Sequence, residues 1–177
     1  SASVACQGIE GAYSQIACDK LFSGAGIMFM DTFEGVARAV HSGLCQYGIL
    51  PVENNIYGSV NAVYDLMQKH SFYVVRAFRL RIDHSLAVKN GTKDADIREI
   101  VSHEQALGQC SEFLKKYPDV KLTVCENTAV AARLVARSDR SDLAAVCSAE
   151  CSELYGLTQL HRDIQNSDNN YTRFICI

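Results

Sequence analysis

Proline is almost missing from this chain, with two in 177 residues, and neither interrupts a run of helical periodicity. No Pro-rich, Gly/Ser-rich or low-complexity segment supplies a linker. Positive charge is not in excess: 17 Lys and Arg stand against 20 Asp and Glu, for a net charge of −3. Without a basic stripe, no nucleic-acid partner is expected. No apolar run approaches the roughly 18 residues of a membrane span, so no membrane partner is expected either. The opening Ser1-Ala2-Ser3-Val4 has neither a charged n-region nor an apolar h-region, the two parts of a signal peptide. Gly-x-Ser-x-Gly, His-Glu-x-x-His and EF-hand patterns are absent, so no hydrolase constellation stands out, and the Gly-x-x-Gly of Gly8 and Gly11 matches neither a Walker loop nor a full dinucleotide fingerprint.

Eight cysteines are present, yet none forms a Cys-x-x-Cys pair, and most lie in apolar periodic segments. Cys147 and Cys151 are four apart, with no further ligand nearby in sequence to complete a zinc site. Buried, reduced thiols are the expectation, and with them a cytoplasmic location.

What is there is a core-forming chain, 48% hydrophobic, that alternates short apolar runs with helical patterns. Strands are expected at Val4–Gln7, Ile27–Met30, Tyr47–Val52, Tyr73–Ile82, Ser85–Val88, Glu99–Ser102, Leu122–Cys125, Ala144–Cys147, Gln159–Ile164 and Thr172–Ile177. Helices are expected at Ala12–Leu21, Phe33–His41, Val60–His70, Gln105–Lys116, Ala129–Ala136 and Ala149–Tyr155. The alternation predicts an α/β protein with largely parallel sheets covered by helices. Thr32 and Thr128 open similar helix–strand units, which suggests an internal duplication. Two lobes are expected, about 1–80 plus 167–177 and about 81–166, with Phe72–Val88 as the crossover. A ligand site is expected in a cleft between them, at the carboxyl ends of strands.

Helix starts recur where chemistry is expected. Gly8–Ser14, Glu53–Ser59, Ser102–Gln105 and Glu126–Thr128 each follow a strand and offer Ser, Thr or Asn as a cap, with backbone N–H groups beyond it. Ordinary capping explains any one of them; four together suit an anion site. The closing Asn169–Phe174 run carries amides, a hydroxyl and a guanidinium into an apolar strand. It suits recognition of a small anion, or a surface turn entering a terminal strand. Of the five histidines, His84 and His103 lie near strand ends and are placed to line a site.

Six colinear segments resemble the catalytic domain of prephenate and arogenate dehydratases over essentially the whole chain: GIEGAYSQIA (8–17), PVENNIYGSV (51–60), SHEQALGQC (102–110), NTAVAA (127–132), YGL (155–157) and NYTRF (170–174). The resemblance implies a two-lobed fold like type II periplasmic binding proteins. It implies decarboxylative dehydration of prephenate to phenylpyruvate, water and carbon dioxide, in phenylalanine biosynthesis, without metal or organic cofactor. By the same resemblance Thr172 donates to the leaving hydroxyl, and Arg173, Asn54, Ser102 and Gln109 complete the catalytic set. Substrate contacts are expected from Tyr13, Ser14, Asn55, Ser59, His103, Gln105, Ala106, Leu107, Thr128, Ala129, Asn170 and Phe174. Arg173 and the helix N-termini are expected to bind the carboxylates, while Phe174 is expected to pack rather than react.

The family pattern has Ser or Thr where this chain has Asn55, Pro where it has Glu104, and commonly Ser where it has Asn127. Family members generally continue into a phenylalanine-binding regulatory (ACT) domain, and some carry chorismate mutase upstream. The chain ends at Ile177, so an excised catalytic domain without phenylalanine feedback is expected, working as a homodimer or tetramer. Arogenate dehydration is the alternative within the class, and a non-catalytic small-anion binding module is the alternative outside it.

Overall fold

The structure, a computed structural model, describes residues 2–177. The chain divides into two compact units: one runs from the N-terminus to Ile82 and resumes at Asn169–Ile177, and the other is Asp83–Asp168.

In the first unit the order is β1 (Ser3–Gln7), α1 (Tyr13–Leu21), β2 (Gly26–Met30), α2 (Phe33–His41), β3 (Tyr47–Asn54), β4 (Gly58–Ser59), α3 (Asn61–Lys69), β5 (Arg76–Arg81) and, from the end of the chain, β11 (Tyr171–Cys176). The second unit holds β6 (Ser85–Val88), a 3-10 turn at Asp94–Asp96, β7 (Glu99–Ser102), α4 (Glu104–Gln109), α5 (Ser111–Leu114), β8 (Lys121–Val124), α6 (Thr128–Arg137), β9 (Leu143–Cys147), α7 (Ala149–Leu154) and β10 (Thr158–His161). The sheet of the first unit runs β2-β1-β3-β11-β5, with β4 as a short extra strand on β3, and that of the second runs β8-β7-β9-β6-β10.

The parallel expectation needs one correction. Strands joined through helices run parallel, as helical crossovers require. One strand in each sheet is inserted against that direction: β11 is antiparallel to both β3 and β5, and β6 is antiparallel to both β9 and β10. Each inserted strand begins within three residues of the point where the chain enters its unit. Register therefore sets the starts of β11 and β6 beside the carboxyl ends of the parallel strands, Thr172 opposite Asn54 and Ser85 opposite Cys147.

Strand alternation builds both cores. Val4, Cys6, Ile49, Phe174 and Cys176 face α1, whereas Ala5, Leu50, Val52, Ile175 and Ile177 face α2 and α3. In the second unit Leu86, Ile100 and Val146 pack with α4 and α5, while Val101, Leu143 and Ala145 pack with α6. Gly48 on β3 admits α2 closely, since a Cβ there would lie 2.9 Å from Val36 Cγ1 and 3.0 Å from Val40 Cγ2. All eight cysteines are free thiols, and all but the half-buried Cys125 are buried.

Several boundaries differ from the sequence expectation. Segment 53–59 does not open a helix: β3 ends at Asn54, a turn follows, and β4 folds back on β3. Strand β5 starts at Arg76, because residues 71–75 have no regular structure. The helix expected over Gln105–Lys116 breaks at Cys110, where the Asn166 main-chain N–H takes the Gln109 carbonyl at 2.7 Å. That carbonyl would otherwise accept from the next helical turn.

Candidate active site

In the first unit, one carboxamide organises the start of the inserted strand. Asn54 Oδ1 accepts from the backbone N–H groups of Ile56 (2.9 Å) and Tyr57 (3.1 Å) in the turn after β3. These two donors fix which end of the amide faces which way. Asn54 Nδ2 must then face the neighbouring strand, where it donates to Asn170 Oδ1 at 2.9 Å and to Thr172 Oγ1 at 3.1 Å. A threonine hydroxyl has one proton and two lone pairs. Because Thr172 Oγ1 is an acceptor towards Asn54, its proton is left over, and no described residue accepts it. Asn170 is only 1% exposed, and its Nδ2 has no partner among the described residues.

Asn55 bridges the same two segments differently. Its Nδ2 donates to the Asn169 carbonyl and its Oδ1 accepts from the Tyr171 N–H, both at 2.7 Å. The side-chain amide thus behaves as one more peptide group in the β3–β11 ladder. A serine hydroxyl is too short to do both, so this departure from the family pattern ties the loop down.

Arg173 does not join this group. Successive residues of a strand face opposite ways. Thr172 shares a face with Phe174 and Cys176, whereas Arg173 shares one with Ile175 and lies opposite Glu53 and Arg79. Its side chain is exposed and forms no hydrogen bond or ion pair with the described residues. Phe174 is core, 2% exposed and stacked on Phe78 at 5.9 Å. Tyr13 is the first residue of α1 and Ser14 the second, but the N-cap is Ala12, without a side-chain hydrogen bond. Ser59 lies in β4 opposite Glu53.

In the second unit, Ser102 ends β7 with no exposed surface, and its hydroxyl donates to the Val146 carbonyl at 2.7 Å. Its proton is occupied in holding β7 to β9. His103 caps α4, with its Nδ1 accepting from the Gln105 N–H at 3.3 Å. Ala106 and Leu107 are buried in the core beside it, and Gln105 is exposed. Gln109 is 9% exposed; its Oε1 meets His84 Nε2 at 2.5 Å. Burial lowers the His84 pKa, against the opposing effect of the Gln109 contact, so the ring is held neutral. Asn127, not Thr128, caps α6, accepting from the Val130 N–H at 2.8 Å; Thr128 is the first helical residue and Ala129 is fully buried behind it.

The first unit thus offers a threonine with a free hydroxyl proton, and the second a carboxamide held by a neutral histidine. A prephenate dehydratase family model matches residues 4–177. The chain belongs to the prephenate dehydratase family. Its relatives include "Arogenate dehydratase/prephenate dehydratase 2, chloroplastic" of Arabidopsis thaliana, 36% identical over 174 residues, covering 98% of this chain and 45% of the relative. The chain spans less than half the length of the curated dehydratases it matches. A solved prephenate dehydratase from Arthrobacter aurescens, crystallised with L-Phe, superposes with a TM-score of 0.91 at 23% identity, covering 98% of this chain and 59% of that one, and shares the fold. A solved structure described as "GqqA- a novel type of quorum quenching acylases" is 32% identical, with a TM-score of 0.89 over 98% of this chain and 63% of that one.

The His84–Gln109 contact is the feature that motif reading missed. Gln109 lies in the SHEQALGQC segment, but its partner is 25 residues earlier, and no local pattern joins them.

Proposed function

We propose that this domain dehydrates and decarboxylates prephenate to phenylpyruvate, with Thr172 as the donor to the leaving hydroxyl. The observation that carries this is the Asn54 Nδ2 to Thr172 Oγ1 hydrogen bond, which leaves the Thr172 proton free to donate. In the reaction the ring–carboxylate C–C bond breaks and carbon dioxide leaves. Its electron pair completes the aromatic ring, and the C–O bond opposite departs with its electrons. The hydroxide so formed takes the Thr172 proton to become water, and Thr172 recovers a proton from solvent. Aromatisation supplies the driving force, so the protein's contribution is alignment and charge stabilisation.

A threonine hydroxyl is a weak acid. It serves as an oriented donor whose position is set through Asn54, worth on the order of 10²–10⁴-fold if it acts as ordinary acid assistance does. The substrate is a dianion and this domain is net acidic, so its carboxylates need local donors. Backbone N–H groups at helix starts suit that task, and the exposed Arg173, on the strand face opposite Thr172, suits it less.

Arogenate differs from prephenate by an amino group in place of the side-chain keto oxygen, and relatives carry both activities in their names. The acylase description stays with its own protein. Acyl transfer needs an activated nucleophile, whereas burial pushes the Cys110 thiol up to about 12 and that of Cys176 to about 11. Free thiols fit a reducing compartment, and we read the cytoplasm as the site of action and a homodimer as the working form.

The test is to supply prephenate and arogenate separately to the purified domain and to follow phenylpyruvate by absorbance and phenylalanine by chromatography. Phenylpyruvate from prephenate, lost in Thr172→Ala while substrate still binds, is the expected result. A folded protein that binds prephenate and turns over neither compound would replace the enzyme reading with that of an anion-binding module.

A further inference from the structure

We propose that Asn170 is a positioning residue for the dehydration step: its buried Oδ1 takes one of the two Asn54 Nδ2–H groups, so that the other is delivered to Thr172 Oγ1 in one fixed direction. This rests on the dehydratase reading above and goes beyond it in naming the group that stands behind the Asn54–Thr172 pair.

The backbone here is pinned on both sides of Asn170. Asn55 Nδ2 donates to the Asn169 carbonyl and Asn55 Oδ1 accepts from the Tyr171 N–H, both at 2.7 Å. The Asn55 main-chain N–H adds a bond to the Tyr171 carbonyl at 3.1 Å, and the Ile82 N–H donates to the Asn170 carbonyl at 2.8 Å. The main chain is therefore held in place whatever the Asn170 side chain requires. Asn170 and Thr172 stand two apart where β11 begins, the spacing that sends side chains to one face, and the Asn54 carboxamide reaches both.

The Asn170 side chain carries an unmet cost. It is 1% exposed, and its Nδ2 has no partner among the described residues. A buried donor left unmet is destabilising. Half a turn of the amide does not relieve it, because Nδ2 would then face Asn54 Nδ2, donor against donor. Asn54 is not free to turn in response: its Oδ1 already accepts from the Ile56 and Tyr57 N–H groups at 2.9 and 3.1 Å. Asn54 thus dictates the orientation of Asn170, and the orphan donor is the consequence.

What results is a fully specified Asn54. A carboxamide has two N–H groups and two acceptor lone pairs. Asn54 spends all four inside the protein: two on the turn after β3, one on Asn170 Oδ1 at 2.9 Å and one on Thr172 Oγ1 at 3.1 Å. Without Asn170 one N–H is unclaimed, and Asn54 can pivot about its Oδ1 contacts and carry the Thr172 hydroxyl off line. Burial sets Asn170 behind the reacting surface, so its effect passes through Asn54 to Thr172.

The experiment has two arms. In the first, NMR of the ¹⁵N,¹³C-labelled wild type reads the through-hydrogen-bond coupling from Asn54 Nδ2 to Asn170 Cγ, whether or not the protein turns over substrate. That coupling is the expected result; the reverse one, from Asn170 Nδ2 to Asn54 Cγ, would overturn the proposal. In the second, kcat and KM for prephenate are measured for Asn170→Leu, Asn170→Asp, Thr172→Val and Asn170→Leu/Thr172→Val, with folding checked by thermal unfolding.

Asn170→Leu should lower kcat by about 10- to 100-fold, the span expected of a misplaced reacting group, with KM changed by less than about threefold. The double variant should be no slower than Thr172→Val, because Asn170 acts through the hydroxyl already removed. Asn170→Asp keeps an acceptor oxygen towards Asn54 and should recover part of kcat. A folded Asn170→Leu with wild-type kcat, losses that multiply in the double variant, or Asn170→Asp as slow as Asn170→Leu would overturn the proposal. If Asn170→Leu does not fold, the coupling and the Asn170→Asp kinetics decide: Asn170→Asp as slow as Thr172→Val refutes it. Wild-type inactivity on prephenate would instead refute the dehydratase reading, and the coupling arm still reports separately on Asn170.

Discussion

Replacing Asn54 by aspartate probes the hydroxyl geometry without removing a single heavy atom. One carboxylate oxygen keeps accepting from the Ile56 and Tyr57 N–H groups, as Asn54 Oδ1 does at 2.9 and 3.1 Å. The other takes the place of Nδ2 and can only accept. It therefore faces Thr172 Oγ1 and Asn170 Oδ1, which now receive from Asn54 Nδ2 at 3.1 and 2.9 Å. The Thr172 proton turns towards the new carboxylate and is lost to the reaction. Asn170 can reverse its amide and offer the Nδ2 that has no partner in the native arrangement.

Two donated hydrogen bonds disappear and two accepted ones replace them, so Asn54→Asp should change stability by no more than about 1 kcal/mol. The rate should instead fall by on the order of 10²–10⁴-fold, equivalent to about 2.7–5.4 kcal/mol in the barrier. Denaturant unfolding reads the first quantity and steady-state phenylpyruvate formation the second. Near-native kcat in Asn54→Asp would refute the claim that Asn54 keeps the Thr172 proton available. A stability loss of several kcal/mol would show that Asn170 cannot reverse, and the rate could then not be interpreted.

Further predictions concern the other residues. Gly48→Ala should lower the unfolding free energy by about 1–3 kcal/mol, because the new methyl meets Val36 and Val40 on α2 at 2.9 and 3.0 Å; chemical denaturation measures it, and an unchanged midpoint would contradict the packing argument. Arg173→Ala should reduce kcat/KM by less than about tenfold, since an exposed charge on the opposite strand face contributes weakly; a hundredfold loss in the same kinetic assay would restore Arg173 as a carboxylate anchor. The Glu99 carboxyl is held below its ordinary value of 4.5 by the Thr123 hydroxyl and then by Arg140. Below that ordinary value the unfolded chain binds the proton more readily, so this contribution is complete above it and is lost as pH falls through the lower folded value. Wild type should therefore melt above Glu99→Gln at neutral pH, with the gap in Tm closing in acid; a gap that widens in acid would contradict the sign.

Much of the fold can be read from local pattern, because strand and helix periods differ and each element buries one stripe or face. Thr172–Ile177 is an example: its apolar alternation splits Phe174 and Cys176 from Ile175 and Ile177, as the two cores require. What local pattern does not carry is pairing across long separations. Nothing near Tyr171 says that its strand is inserted between β3 and β5. Nothing near Gln105–Lys116 says that Asn166, some fifty residues on, takes the carbonyl that ends α4.

The same limit governs the site. Thr172 and Asn54 were both legible as motif members, while their hydrogen bond depends on register over 118 residues. Arg173 is legible as a guanidinium able to fork onto a carboxylate, while the strand alternation that sets its side chain on the other face from Thr172 emerges only with the register of β11. Ser102 was legible as a polar motif position, and only the packed structure shows its hydroxyl spent on Val146.

The central claim is that Thr172 contributes a hydroxyl proton rather than a shape, and the most direct measurement is prephenate turnover by wild type, Thr172→Ser and Thr172→Val, with substrate binding followed by calorimetry. Thr172→Ser should keep a substantial part of kcat, and Thr172→Val, equal in size but without the hydroxyl, should bind prephenate and lose on the order of 10²–10⁴-fold in kcat. Comparable turnover by Thr172→Val and wild type would contradict it.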